Sequence, residues 1–231
     1  MDEFYRALQG ALPGLNDAET RRFARYYELL LERNKVMNLT AITEPAEVAK
    51  KHFADSALPL EFSLIKEGAK CVDVGTGAGF PGIPLLILRP DIELVLVDAL
   101  QKRIAFLKET LDALGLKAQC LHARAEDAGR RKELRERFDV ALSRAVAPVN
   151  VLVELTLPLL KVGGVSLMYK GPAAGEETAA ASRVLKLLSG EAAVHSADKP
   201  WGERKLVAIT KRAHTSDAYP RKAGTPARSP L

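Results

Sequence analysis

The sequence predicts an α/β fold: a mostly parallel seven-stranded sheet that ends in an antiparallel hairpin and is preceded by a helical extension. Three observations carry this. A short apolar run at 69–74 leads into three glycines at spacing two, Gly75, Gly77 and Gly79. Apolar runs of strand length then alternate with amphipathic stretches of helix length as far as residue 188. The last two runs, 192–196 and 205–210, have no helix between them, so they pair as a hairpin through Pro200-Trp201-Gly202.

Residues 1–65 read as helical. Asn16 with Glu19 three positions later has the form of a capping box. Phe23, Tyr26, Tyr27, Leu30 and Leu31 recur at helical spacing, as core contacts. The run Asn38-Leu-Thr-Ala-Ile-Thr-Glu-Pro breaks that helix, with Thr43 as the expected N-cap of the next. The next helix carries His52, Asp55 and Ser56, and the spacing of His52 and Asp55 puts them on one face, placed to pair.

The first strand, 69–74, shows little alternation, as a strand covered on both faces does. Pro81 suits the opening turn of a short helix at 83–88. A second strand at 92–97 ends on Asp98. The helix at 101–114 gathers Ile104, Leu107, Leu111 and Leu114 on one face and stops at Gly115. The third strand, 117–122, opens onto Arg124-Ala125-Glu126-Asp127, followed by a helix at 128–137. The fourth, 139–142, ends in Ser143-Arg144-Ala145; a helix at 150–160 and Gly163-Gly164 precede the fifth, 165–169, which ends in Lys170-Gly171. A helix at 176–188 leads to the hairpin. The predicted organisation is therefore a helical extension at 1–65, a core domain at 66–212 and a basic, flexible tail at 213–231, rich in Pro, Ala, Arg, Lys and Ser.

With 231 residues, 47% of them hydrophobic, the chain can bury a full core. No apolar run reaches the roughly 18 residues of a membrane span, and the opening MDEFYRALQG lacks the basic-then-apolar layout of a secretory leader. Cys71 and Cys120 fall inside predicted strands and read as buried free thiols in a reducing cytoplasm. Four scattered histidines and two distant cysteines predict no metal site. Of the net charge of +5, +4 lies from Lys211 onward: Lys211, Arg212, Arg221, Lys222 and Arg228 against Asp217. A second cluster, RRKELRER at 130–137, has five basic and two acidic residues. Both suit a polyanion such as RNA, but each alone is read first as a solvated surface.

A strand running into glycines and then a helix is how α/β proteins cradle a nucleotide, because glycine accepts positive φ and lets the ligand approach the backbone. Gly77, Gly79 and Gly82 fit the dinucleotide pattern G-x-G-x-x-G. Asp73, Gly75, Gly77 and Gly79 fit the acidic-x-Gly-x-Gly-x-Gly loop that binds S-adenosylmethionine (SAM). A carboxylate just before the first glycine repels a pyrophosphate and attracts an ammonium or sulfonium, which favours SAM. Asp98 lies about 20 residues beyond the loop, where such folds put a carboxylate on the ribose hydroxyls; capping of the helix at 101–114 is the other reading. Ligands of an open parallel sheet sit beyond the carboxyl ends of its strands. Gly75, Asp98, Ala125 with Glu126, Arg144 and Lys170 all fall at such ends.

Taken together, residues 72–84, Asp98-Ala-Leu-Gln-Lys-Arg, Arg124-Ala-Glu, Ser143-Arg-Ala and Lys170-Gly resemble the RsmG (GidB) family of bacterial 16S rRNA methyltransferases. So do Asn38-Leu-Thr, His52-x-x-Asp55-Ser56, Gly202-Glu-Arg-Lys and the ending Tyr219-Pro-Arg-Lys-x-Gly-Thr-Pro. The resemblance covers nearly the whole chain in order. It implies a Rossmann-like class I SAM-dependent methyltransferase fold and transfer of the SAM methyl to nitrogen-7 of a guanine in small-subunit rRNA, with S-adenosyl-L-homocysteine as product. It implies that Gly75, Gly77 and Phe80 form the cofactor loop, Asp98 meets the ribose, Ala125 and Glu126 meet the base, and Arg144 stands at the methyl end. The implied partner is 16S rRNA or the small ribosomal subunit, met by a cytoplasmic monomer without membrane or metal. Phe80 and Ala78 stand where the family often has Leu and Pro. The turn after the fourth strand is not the Asn/Asp-Pro-Pro-aromatic of enzymes that methylate exocyclic amines, which suits a ring nitrogen needing no general base. Arg144 would orient the guanine through oxygen-6, hold a cofactor carboxylate or grip an RNA phosphate. The competing expectations are an NAD-dependent oxidoreductase using the same loop and a non-catalytic RNA-binding protein.

Overall fold

Seven strands form one sheet. In the computed structural model, which describes all 231 residues, β1 (Lys70–Val74), β2 (Glu93–Asp98), β3 (Gln119–His122), β4 (Phe138–Arg144) and β5 (Leu160–Lys170) pair in parallel. β6 (Gly190–Lys199) and β7 (Gly202–Lys211) form a hairpin turning at Pro200-Trp201, and β7 inserts between β5 and β6, antiparallel to both. The order is β3-β2-β1-β4-β5-β7-β6. The strand count, the parallel majority and the terminal hairpin agree with the sequence expectation.

Because strand side chains alternate between faces, the register sorts the core into two halves. Cys71, Leu94, Leu96, Val140, Leu142, Leu167, Leu206 and Ala208 point to one face. It is covered by α1 (Asp2–Ala11), α2 (Asp17–Met37), α3 (Pro45–Glu47), a π-helical segment (Val48–Ala54), α4 (Leu58–Glu61), α5 (Gly82–Leu88) and α6 (Gln101–Leu114). Val72, Val74, Val97, Ala141, Met168, Val207 and Ile209 point to the other, covered by α7 (Ala125–Arg130), α8 (Val149–Thr156), α9 (Ala174–Ala180) and α10 (Ser182–Leu187). The same alternation places Asp73, Asp98, Arg144 and Tyr169 with the first set, under the N-terminal helices.

Local expectations fare unevenly. The capping box is present: Asn16 Oδ1 accepts from the N–H groups of Ala18 and Glu19, and Glu19 Oε2 accepts from Asn16 N. α6 starts and stops as expected, with Gly115 left-handed at its end (φ 63°). Thr43 is not an N-cap; Glu44 takes that place without a side-chain bond, and the Thr43 carbonyl accepts from Tyr27 Oη. The helix expected at 128–137 lies earlier, at Ala125–Arg130, because Arg131 turns extended (ψ 126°) and Glu136 is left-handed (φ 53°). The helix expected at 176–188 divides at the buried Ala181 into α9 and α10. His52 and Asp55 do not pair; each faces a different element.

The tail, expected from its composition to stay free, has partners along its length. Arg135 donates to the carbonyls of Thr215, Ser216 and Tyr219. Arg221 grips the buried Glu154 of α8 through Nε and Nη2. Gly224 N donates to Glu126 Oε1 at 2.7 Å just before α11 (Thr225–Arg228). Arg135 and Glu136 of the second charged cluster are thereby used inside the protein. Lys211 is wholly buried, and its ammonium gives its three protons to Glu136 Oε1, Leu157 O and Leu160 O. Replacing Lys211 with Ala leaves a carboxylate and two carbonyls facing a void. Loss of a partner from a buried ion pair costs about 3–5 kcal/mol, so thermal denaturation of Lys211→Ala should show a melting temperature lower by roughly 10 °C.

Candidate active site

The loop after β1 is shaped by three left-handed glycines, Gly75 (φ 71°), Gly77 (φ 60°) and Gly79 (φ 101°). Gly75 N and Thr76 N donate to Val97 O, which ties the loop to β2. Asp73 secures its two ends: Oδ2 accepts from Thr76 Oγ1 at 2.7 Å and from Gly82 N at 2.9 Å, at the start of α5. The side chain is fully buried, Oδ1 has no partner, and burial lifts the carboxyl pKa to about 7. Asp73 therefore lies beneath the loop and is not presented to a ligand.

Asp98 closes β2 with both oxygens engaged. Oδ2 accepts from Gly77 N at 3.0 Å and from Arg103 at 3.3 Å, and Oδ1 accepts from Leu100 N at 2.9 Å. Asp98 is not the N-cap of α6, a place that Leu100 takes, but it restrains the turn before that helix and braces the glycine loop. A Cβ at Gly75 would fall 2.7 Å from Val146, in the turn after β4, and one at Gly79 would fall 2.6 Å from Tyr26 Oη. A Cβ at Gly77 would meet only Gly75 O, at 4.0 Å, and so would project into open space.

That space is a cavity of about 220 Å³ whose walls include Thr40, His52, Gly75, Gly77, Phe80, Arg103 and Arg144. Arg144 and Ala145 also line an adjoining groove of about 600 Å³, with Asp55, Tyr169, Lys170, Arg204 and Lys205. Of the residues singled out in the sequence, Gly75, Gly77, Phe80 and Arg144 meet in the cavity, and Asp98 touches it through Gly77. Ala125 and Glu126 open α7 beyond β3 and are not among its walls; the Glu126 carboxylate holds Gly224 of the tail. No group of three or more His, Cys, Asp and Glu side chains is arranged to hold a metal.

Arg144 leaves the end of β4 for the π-helical segment. Its Nη2 donates to Lys51 O at 2.7 Å and to His52 Nδ1 at 2.9 Å. His52 stacks on Phe80, with centroids 4.5 Å apart and planes at 19°. Its Nε2 lies 2.7 Å from Thr40 Oγ1. Asp55, the expected partner of His52, accepts instead from Trp201 Nε1 and Arg204 Nε of the hairpin. Burial, then the Arg144 charge, lower the His52 pKa to about 4. Sequence reasoning missed Thr40 and Tyr26; the latter donates from Oη to Ala78 O at 2.5 Å and so pins the loop from α2. An aromatic at core spacing gives no sign of such a bond.

A parallel sheet with an antiparallel seventh strand, a glycine loop after β1 and a carboxylate ending β2 define a class I methyltransferase. Solved structures agree on the fold. A putative O-methyltransferase from Klebsiella pneumoniae matches with a TM-score of 0.58 at 16% identity, over 90% of this chain and 96% of that one. A SAM-dependent methyltransferase from Aquifex aeolicus matches with 0.54 at 19% identity, over 74% and 96%. The model of the family rRNA small subunit methyltransferase G matches residues 19–207, and the chain belongs to that family. Ribosomal RNA small subunit methyltransferase G of Desulforamulus reducens is 48% identical over 94% of this chain and 92% of its own, and that of Alkaliphilus oremlandii 45% over 96% and 95%.

Nuclear magnetic resonance of the His52 ring checks the cluster. The ring should stay unprotonated down to about pH 4, whereas an unfolded chain protonates near 6.5. His52 thus contributes stability that is present above about pH 6.5 and lost as the pH falls towards 4. Asp73, with its raised pKa, acts in the opposite sense over an overlapping range, so the readout has to be the ring itself. In Arg144→Ala the ring pKa should rise towards the ordinary value.

Proposed function

We propose that this chain transfers the methyl group of SAM to nitrogen-7 of a guanine in 16S rRNA, releasing S-adenosyl-L-homocysteine. The observation that carries the reading is a bare, left-handed glycine backbone facing a partly buried arginine across one cavity, in a chain of the rRNA small subunit methyltransferase G family. The residues present suit a sulfonium nucleoside: an open approach at Gly77, an acidic residue ending β2, and no cluster of basic side chains on the loop for a pyrophosphate. When bound, SAM supplies a methyl carbon activated by a positively charged sulfur.

The protein's part is to hold and aim. Gly75, Gly77 and Phe80 would cradle the cofactor, Asp98 would accept from its ribose through the remaining lone pairs, Ala125 and Glu126 would lie towards its base, and Arg144 would stand at the methyl end. Guanine nitrogen-7 has an in-plane lone pair and no proton, so no general base is required. This agrees with His52, whose two ring nitrogens are both engaged within the protein. Rate comes from alignment, and placing two groups within reach supplies up to about 7–11 kcal/mol. Arg144 has spare N–H donors for guanine oxygen-6, the contact arginine makes most often with that base. We read residues 1–65 as an extension packed on the methyltransferase core and the enzyme as a cytoplasmic monomer acting on 16S rRNA or the small subunit. No helix is long and apolar enough to cross a membrane.

SAM, and not NADH, should raise the melting temperature. Gly75→Asp should abolish SAM binding by calorimetry, since a side chain there needs a left-handed backbone and strikes Val146. Arg144→Ala should lower turnover about 100-fold, the scale of a misaligned reactant, with SAM affinity nearly unchanged. The reverse pattern would make Arg144 a cofactor ligand.

A further inference from the structure

We propose that His52 is a positioning residue for the methyl transfer: with Thr40 and Asn34 behind it, its ring fixes the plane of the Arg144 guanidinium at the cavity. The inference rests on the reading of Arg144 as the residue that orients the guanine. A guanidinium only donates. The 2.9 Å contact from Arg144 Nη2 therefore requires His52 Nδ1 to be bare, and the ring proton to sit on Nε2. From there it is donated to Thr40 Oγ1 at 2.7 Å. Thr40 is itself locked to the end of α2: its N–H donates to Asn34 Oδ1 and its carbonyl accepts from Asn34 Nδ2, both at 2.9 Å. Its hydroxyl oxygen also accepts from Ile42 N. The ring thus has one tautomer and one orientation, with Phe80 of the glycine loop stacked on its face.

Backbone alone holds Arg144 less firmly. Lys51 O is a good acceptor at 2.7 Å, but His52 O is 3.4 Å from Nη1. Two strong acceptors on Nη2 fix the guanidinium plane; with one it rotates about that contact. A merely structural His52 would affect folding and SAM affinity together. A positioning His52 affects turnover, and through one nitrogen in particular.

Two amides separate these roles. Asn places an acceptor where Nδ1 lies; Gln places its polar group where Nε2 lies. Turnover of 16S rRNA in small subunits, read with tritiated SAM, should fall no more than about threefold in His52→Asn and roughly 10–100-fold in His52→Gln. SAM affinity by calorimetry should match that of the unsubstituted protein in both. Equal losses in the two variants, or turnover at the unsubstituted level in both, would overturn the proposal. Should His52→Gln fail to fold, Thr40→Val decides: lowered turnover with intact SAM affinity supports the relay, and unchanged turnover ends it. Arg144→Ala, measured alongside, separates the two claims. Full turnover there sinks the role of Arg144 itself, whereas an inactive Arg144→Ala beside equal amide variants sinks only the relay.

Discussion

A guanidinium partly withdrawn from solvent has to find acceptors, and the way Arg144 finds them joins the parts of this fold. The residue ends a central strand, on the face of the sheet that the N-terminal helices cover. The segment Val48–Ala54 is π-helical, a form that occurs as short pieces near functional sites. Its Lys51 carbonyl accepts from Arg144 at 2.7 Å, and the His52 carbonyl, which also accepts from Ser56 Oγ, lies 3.4 Å from the guanidinium. Neighbouring residues fasten the same segment to Thr40 before it, to Tyr169 of β5 through Ser56 O, and to the hairpin through Asp55. Sheet, extension and hairpin thus share one set of polar contacts around one side chain.

The architecture was legible in the sequence because it is written in short-range signals. Apolar runs of strand length, Gly115 after a helical stripe and the Asn16–Glu19 box each report their own neighbourhood. The hairpin followed from a missing helix. The glycine loop was legible for the same reason, since positive φ at Gly75, Gly77 and Gly79 is a local demand. What was not legible was pairing at a distance. His52 and Asp55 look like partners at helical spacing, but Asp55 is satisfied by Trp201 and Arg204, nearly 150 positions away. The buried Asp73 misled in another way: its place before the glycines gave its importance, and only the burial shows that it serves the loop from below.

The charge pattern teaches a related lesson. Composition made the end of the chain look like a solvated basic arm. Lys211 and Arg221 are instead paired with Glu136 and Glu154 inside the molecule, and Arg212 pairs with Glu191 on its surface. A count of charges along a sequence cannot distinguish an arginine offered to a polyanion from one that fastens a tail to a helix.

β7, the last strand to be made, lies between β5 and β6 and not at an edge. Trp201 before it and Arg204 within it complete the mount of a segment that begins at residue 48. Chain growth at about 5–20 residues per second therefore leaves the early helices without their final anchor for several seconds. A nascent chain halted before the hairpin already carries the glycine loop and the acceptors of Arg144, but Asp55, next to those acceptors, still lacks Trp201 and Arg204. The support of the π-helical segment is thus completed only when the final strand is laid down.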